Sequence, residues 1–376
     1  LFPLLTNQDT GGIIASPEID EDFTKCGRYA YCWTRDAVFM TKALDILKME
    51  KETEKFYKVF CKKTQSKNGM WEQRFYTDGK LAPCWGYQVD ETASVVYGVY
   101  EHYKYSKSEK FLKDNLSMCE KAVDFLKRYV EDWLQIQAKE ERDKDIVKEE
   151  MENQMKKLHG EHKYHVSYDL WEMSEGIHLY SLASIYSAFE CMLKMYIALG
   201  KNTSEFENNR LKEEKIHKNE KEIERLQVGI KKYINENLYD TEKNTYVRNI
   251  EDKKMDISIL GAVTPFNVFK PKEKKVRNTI EKINMTLRTY TGGYQRFEQD
   301  HYMNGNPWPI ANLWMTLYYL ETGEKRKAKE TFDFVVKTSG KHHFLGEQVD
   351  NETLKPNWVI GLGWSHAMFV LVLNAL

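Results

Sequence analysis

A glutamate placed beside a tryptophan is an acid whose proton is hard to remove. In Tyr168-Asp169-Leu170-Trp171-Glu172 the indole lowers the local dielectric, which disfavours the carboxylate and lets Glu172 keep its proton at neutral pH. A protonated carboxyl against an aromatic wall is what the general acid of glycosidic cleavage must be. The plainer reading is an acidic cap at the start of the apolar helix that follows. A second carboxylate, Glu347 in Gly346-Glu347-Gln348-Val349-Asp350, sits in a late loop and alone would pass for a surface acid.

Sugar pockets combine aromatic faces for stacking, arginines for bidentate contacts and carboxylates that accept hydroxyl hydrogens. The loops of this chain carry all three. Arg35 and Asp36 are adjacent in Trp33-Thr34-Arg35-Asp36, suited to two hydroxyls of one ring or to a local ion pair at a helix start. Trp85 follows Pro83 and Cys84, as a pocket wall or a core plug. The most distinctive loop joins Gly292-Gly293-Tyr294-Gln295-Arg296 to Tyr302-Met303-Asn304-Gly305-Asn306-Pro307-Trp308. Asn304 and Asn306 can bond their own backbone or a ligand, and Pro307 suits the opening of a helix.

These residues need elements to hold them, and apolar spacing supplies helices almost throughout. The pattern predicts helices over Ala37–Lys48, Lys51–Lys63, Ala93–Tyr105, Ser181–Leu199, 203–238, Pro309–Thr322, Lys325–Thr338 and Gly363–Leu376. Asp256–Val263 and Lys272–Met285 read as a further helical pair, and Glu109–Lys157 as two long charged helices. Ala138–Lys157 within it reads as a solvated helix. Asp240–Arg248 reads as a turn or hairpin, and His342–Trp358 as loop.

An aromatic and acidic loop leads into an apolar helix, and a more polar helix follows. The unit opens near Trp33, Gln88, Trp171, Asp256, Asn306 and Gly361. Six such hairpins with apolar inner helices close into an all-α (α/α)6 toroid, with the entry loops gathered around one pocket. An open solenoid would not explain why the Trp, Arg and acid clusters share one phase. The expectation is one domain across 1–376, with 1–31 an irregular lead-in.

Composition narrows the partners. Lys and Arg total 56 against 57 Asp and Glu, which argues against a nucleic-acid or anionic-membrane surface. No apolar run is expected to approach the ~20 residues of a membrane span, and the sequence shows no basic stretch followed by an apolar signal region. The six cysteines match no zinc spacing or disulfide framework, so buried free thiols in a reducing cytoplasm are expected. Asn115, Asn202, Asn284 and Asn351 head Asn-x-Ser/Thr triplets at a frequency close to chance for this composition. His342, His343 and His366 read as surface or core histidines, since adjacent histidines seldom chelate one ion well. No metal and no cofactor are expected.

Four short motifs now stand in order: Trp33-Thr34-Arg35-Asp36, Asp169-Leu170-Trp171-Glu172, Tyr302-x-Asn304-Gly305-Asn306-Pro307-Trp308 and Gly346-Glu347-Gln348. Together they make the sequence resemble the glucoamylase family, glycoside hydrolase family fifteen, across the catalytic toroid. The resemblance implies that Glu172 is the general acid and Glu347 the general base of an inverting exo-enzyme releasing β-glucose from oligosaccharides. Inversion implies carboxyl groups roughly 6.5–9.5 Å apart, leaving room for a water. It further implies that Arg35 and Asp36 hold the far hydroxyls of the terminal glucose and that Arg296 is a second arginine at the sugar. Tyr29 then stands near the reacting centre, and Trp33, Trp85, Trp171, Tyr302 and Trp308 line the pocket. Asn304 joins the substrate-binding set.

Two departures shape the expected substrate. Many glucoamylases carry a second acid after the catalytic glutamate, at the leaving-group subsite, where this chain has Met173. Linkage choice among α-1,4, α-1,6 and α,α-1,1 is therefore open. The sequence begins at the toroid with no β-sandwich before it and no starch-binding module after it, which favours short oligosaccharides. Trehalase or transglucosylase chemistry on the same toroid and a non-catalytic sugar-binding relative are the alternatives. A phosphorylase would need a phosphate site in place of Glu347.

Overall fold

The computed structural model describes residues 1–18, 28–140, 167–200 and 210–376. In chain order its α-helices are α1 (Phe2–Leu5), α2 (Thr34–Ile46), α3 (Glu50–Lys55), α4 (Val89–Ser106), α5 (Glu109–Glu140) and α6 (Leu179–Gly200). After these come α7 (Arg210–Asn237), α8 (Lys274–Thr286), α9 (Pro309–Thr322), α10 (Lys325–Thr338) and α11 (Gly363–Ala375). Beyond α3 the helix widens into a π-helical stretch, Phe56–Cys61, and ends with Lys62–Thr64.

The inner elements form a closed ring. α2 packs on α4, α4 on α6, and α6 on the 3-10 helix Ile257–Ala262, which touches α9; α9 packs on α11, and α11 returns to α2. That closure distinguishes the (α/α)6 toroid from a solenoid. The fourth inner position, expected as an α-helix, is only this 3-10 segment. Inner helices are buried nearly all round: in α9 every residue from Pro309 to Thr316 is buried. The outer α10 buries a single stripe, Ala328, Thr331, Val335 and Thr338, at the three- and four-residue spacing of one helix face. Pro309 at the first turn and Gly323 in a left-handed conformation (φ 83°) just past the end bound α9 where the sequence placed it.

Three expectations need correction. Leu179–Gly200 is, by length and composition, apolar enough to cross a membrane, contrary to the expectation that no run would be. Its residues are instead buried against α4, α5, α7 and the 3-10 helix, so protein, not lipid, accounts for the hydropathy. The stretch read as loop at 342–358 contains half of a β-hairpin, β5 (Gly346–Val349) with β6 (Pro356–Ile360). Of the cysteines in the described residues, Cys32, Cys61, Cys119 and Cys191 are buried free thiols, but Cys84 is exposed.

The lead-in is not wholly irregular either, since α1 precedes an antiparallel bridge between Thr6 and Ile13. Smaller hairpins pair β1 (Ser167–Tyr168) with β2 (Glu175–Gly176) and β3 (Tyr239–Asp240) with β4 (Thr245–Tyr246). The β3–β4 hairpin lies where one was anticipated. The expected charged helix at Ala138–Lys157 falls mostly outside the described residues, as does Cys26.

Candidate active site

Loops at the ends of the inner helices enclose a cavity of about 270 Å³. Glu172 and Glu347 both line it, as do Tyr29, Trp33, Arg35 and Asp36, and, across from them, Trp85, Trp171, Arg296, Tyr302 and Trp308.

Glu172 does not cap a helix. It sits in the turn between β1 and β2 with a left-handed backbone (φ 61°), a conformation a side chain adopts at a cost of order 1–3 kcal/mol. Asp169 supports that turn. Its carboxylate accepts from the amides of Met173 (2.7 Å), Ser174 (2.8 Å) and Trp171 (3.2 Å), while its carbonyl accepts from Glu172 N (3.0 Å). The Glu172 carboxyl then receives the Trp33 indole N–H at 2.7 Å. Burial pushes it up to about 6, against the field of Arg35 and the Trp33 hydrogen bond.

The tryptophan beside Glu172 in sequence is thus not its hydrogen-bond partner. Trp171 turns its N–H to Asp256 Oδ1 (3.0 Å) and meets Trp308 edge-on, ring centroids 5.5 Å apart. Asp169→Ala would orphan three amides in a buried turn. The expected result is a loss of about 2–4 kcal/mol in denaturant melts and at least ~10-fold in kcat as Glu172 loses its aim. Wild-type turnover in this variant would remove Asp169 from that role.

Glu347 is held by a different set of neighbours. Gly346 lets β5 approach β6 closely: a Cβ there would lie 2.4 Å from the Asn357 carbonyl oxygen. Tyr29 Oη donates to Glu347 Oε1 at 2.7 Å, and Gln348 Nε2 to Oε2 at 3.3 Å. Asn306 Nδ2 donates in turn to Gln348 Oε1 (3.2 Å), linking two of the sequence motifs through side chains. Burial pushes Glu347 up to about 7, while the Tyr29 hydrogen bond and the Arg296 charge pull it down. The two aromatics that hold the carboxyls, Tyr29 and Trp33, lie on one short segment with ring centroids 5.9 Å apart.

The cluster around Arg35 and Asp36 is more elaborate than its sequence motif. Arg35 is 3.2 Å from Asp36, as expected, but its Nη1 also reaches Asp90 (3.0 Å) and Glu91 (3.1 Å), at the start of α4. Burial works against the Arg35 charge, yet Glu91, Asp90 and Asp36 hold its proton more tightly than usual. Burial also pushes Glu91 up to about 8. The supporting role of Asp90 and Glu91 was not anticipated, although they stand at the same phase of their unit as Arg35 and Asp36. Arg296 pairs with Asp300 (2.8 and 2.9 Å) and lies 4.5 Å from the Trp308 ring centroid and 5.0 Å from that of Tyr302.

One expected binding residue is not in the site. Asn304 is exposed, left-handed (φ 68°) and not among the lining residues. Asn306, two positions on and buried, does not line the cavity either but supports it by donating to Gln348, the neighbour of Glu347. Trp85 is 53 % exposed, which settles it as wall, not core plug. Met173 is 52 % exposed at the mouth. The histidines near the base loop are structural: His366 Nε2 accepts from the Leu345 amide (3.0 Å), and burial lowers the ring to about 4. His343 bonds Ser339, and His342 is exposed.

A helical toroid with two carboxyls held by aromatic donors in one pocket, beside a buried arginine–carboxylate cluster, belongs to a recognisable class of carbohydrate-active scaffold. Residues 3–342 match the family profile of glycosyl hydrolases family 15. The chain belongs to that family. The matched span ends before Glu347, so the geometry above, not the match, brings that residue to the site.

An uncharacterized glycosyl hydrolase of Methanocaldococcus jannaschii is 28% identical over 374 residues, covering 96% of this chain and 52% of its own length. Trehalase 1 of Sulfolobus acidocaldarius is 22% identical over 289 residues, 76% of this chain and 41% of its own. The chain thus spans about half the length of the curated relatives it matches. A bacterial glucoamylase complexed with acarbose superposes with a TM-score of 0.69 at 18% identity, over 97% of this chain and 52% of that one, which fixes the likeness of fold.

Proposed function

We propose that this protein is a glycoside hydrolase, and within that class an inverting exo-acting α-glucosidase that releases β-glucose from malto- or isomalto-oligosaccharides. The observation that carries the reading is the pair Glu172, half-buried, and Glu347, buried, both lining the pocket and each held by its own aromatic donor. Glu172 protonates the glycosidic oxygen. Glu347 takes a proton from the water that attacks the anomeric carbon on the opposite ring face. Arg35 with Asp36 and Arg296 with Asp300 close the far end around the terminal ring, so that one sugar is admitted at a time.

α,α-Trehalose is the second substrate to consider, because Met173 leaves the leaving-group side without the acid many glucoamylases have, and because of the trehalase relative. The test is glucose release from maltose, maltotriose, isomaltose, trehalose and soluble starch, with the product anomer followed by NMR. β-Glucose as first product is expected. α-Glucose would overturn inversion, and no release from any sugar would overturn the hydrolase reading.

A further inference from the structure

Arg74 lines the same cavity and is only 5 % exposed, yet it forms no ion pair among the described residues. Its Nε donates to the Pro83 carbonyl (2.6 Å). Its terminal nitrogens have no hydrogen-bond partner among those residues. The guanidinium carbon lies among three aromatic rings: 4.0 Å from the ring centroid of Trp85, 4.9 Å from Tyr31 and 5.2 Å from Trp33. Aromatic faces attract a cation but do not neutralise it. Its strongest electrostatic attraction among the described residues is to the Glu172 carboxyl, which the reading above keeps protonated. The cation is therefore only partly offset, and such groups persist where a ligand completes them.

Arg74 belongs to the leaving-group side, given the hydrolase reading above, on which this inference rests. Trp33, one of its aromatic neighbours, holds Glu172, the group that protonates the departing oxygen. The other neighbours on that side are Trp85, with half its surface open, and Met173. Methionine at position 173 adds no charge to this side of the pocket and offers no strong acceptor for a neutral sugar hydroxyl. Two free guanidinium nitrogens in one plane match the geometry of a carboxylate or phosphate. We infer that the leaving-group side of the pocket binds an anionic aglycone, its carboxylate or phosphate held by Arg74 while its body stacks on Trp85.

The test measures kcat/KM for maltose against maltobionate, which carries a carboxylate on the leaving unit, and maltose 1-phosphate, which carries a phosphate. Trehalose against trehalose 6-phosphate makes the same comparison for the α,α-1,1 linkage. Wild type should prefer at least one anion to its neutral parent by about 10-fold or more, the scale of one charge-assisted contact. Which anion wins identifies the group. Arg74→Gln should bring that ratio close to one, and Arg74→Lys should keep part of it.

Equal rates for neutral and anionic substrates in wild type would overturn the inference. So would an unchanged ratio in Arg74→Gln with only the pH profile moved, since Arg74 would then merely tune Glu172. Calorimetric binding of maltobionate separates the two readings. Binding that depends on Arg74 without any glucose release would overturn the hydrolase reading and keep the anion site. Maltose cleavage with no Arg74-dependent preference would overturn the anion site alone.

Discussion

Glu172→Gln and Glu347→Gln should each lower kcat by about 10²–10⁴-fold, the usual contribution of a positioned acid or base. The same substitutions should stabilise the fold at alkaline pH. Both carboxyls are raised by burial, Glu172 to about 6 and Glu347 to about 7 from an ordinary 4.5. The native state therefore binds more protons than the unfolded chain between pH 4.5 and 7. Stability from these groups is complete below 4.5 and is lost as pH rises through the folded values. A glutamine cannot ionise and escapes that loss.

At pH 8 the Glu347 variant should gain on the order of 2–3 kcal/mol and the Glu172 variant about 1–2 kcal/mol. At pH 4.5 both gains should vanish. Melting temperatures at the two pH values check the sign. Near-normal turnover in either variant would remove that residue from the mechanism. A gain that is larger in acid would contradict the burial argument. The proposed mechanism needs Glu172 protonated and Glu347 ionised. The kcat/KM profile should be a bell with limbs near 6 and 7 and its maximum between them.

Arg35→Leu is expected to destabilise the protein by about 3–5 kcal/mol, the cost of stripping one partner from a buried ionic group. The loss is structural before it is catalytic. Arg35 is 3 % exposed and lies against three carboxyls, Asp36, Asp90 and Glu91. Without it, those acids must take up protons or repel one another. Adding Glu91→Gln to Arg35→Leu should therefore cost less than the sum of the separate changes, because it removes one orphaned acid. Denaturant melts of the four forms give that coupling. Strict additivity would sink the account of the cluster. Where enough folded Arg35→Leu is obtained, a raised KM together with a lowered kcat is expected from lost positioning of the terminal sugar.

The sequence displayed what repeats and hid what pairs at long range. Six openings at one phase, before Trp33, Gln88, Trp171, Asp256, Asn306 and Gly361, were enough to argue a ring. The packing of α11 on α2 closes it. Pro309 and Gly323 marked α9 because their backbone preferences act locally. Glu172 was singled out for the wrong neighbour: adjacency pointed to Trp171, whereas the hydrogen bond comes from Trp33. Nothing local encodes that contact, and the turn built by Asp169 between β1 and β2 reads in sequence like a helix start.

The β5–β6 hairpin escaped for a similar reason. Pro356 and Asn357 look like loop, and the Val349 amide gains its bond from the distant Pro307 carbonyl (2.8 Å). Asn304 and Asn306 share a motif and a chemistry. The left-handed run Met303–Gly305 leaves Asn304 exposed, while Asn306 is buried behind Gln348. Asp90 and Glu91 could have been found by asking what faces Arg35 from the next unit of the ring. Arg74 carried no comparable signal, since its aromatic neighbours and its partial offset by Glu172 come from distant parts of the chain.

The segment from Tyr29 to Trp33 works as a gauge block. Its two aromatic donors reach two acids that arrive on unrelated parts of the chain, one on the β1–β2 turn and one on β5. If the ring breathes, a displacement of this block carries both donors the same way, so the gap across which proton donor and acceptor cooperate changes little. The surrounding loops are then free to drift in sequence and length while the working distance stays constant. A lesion in the block itself would detune both acids together.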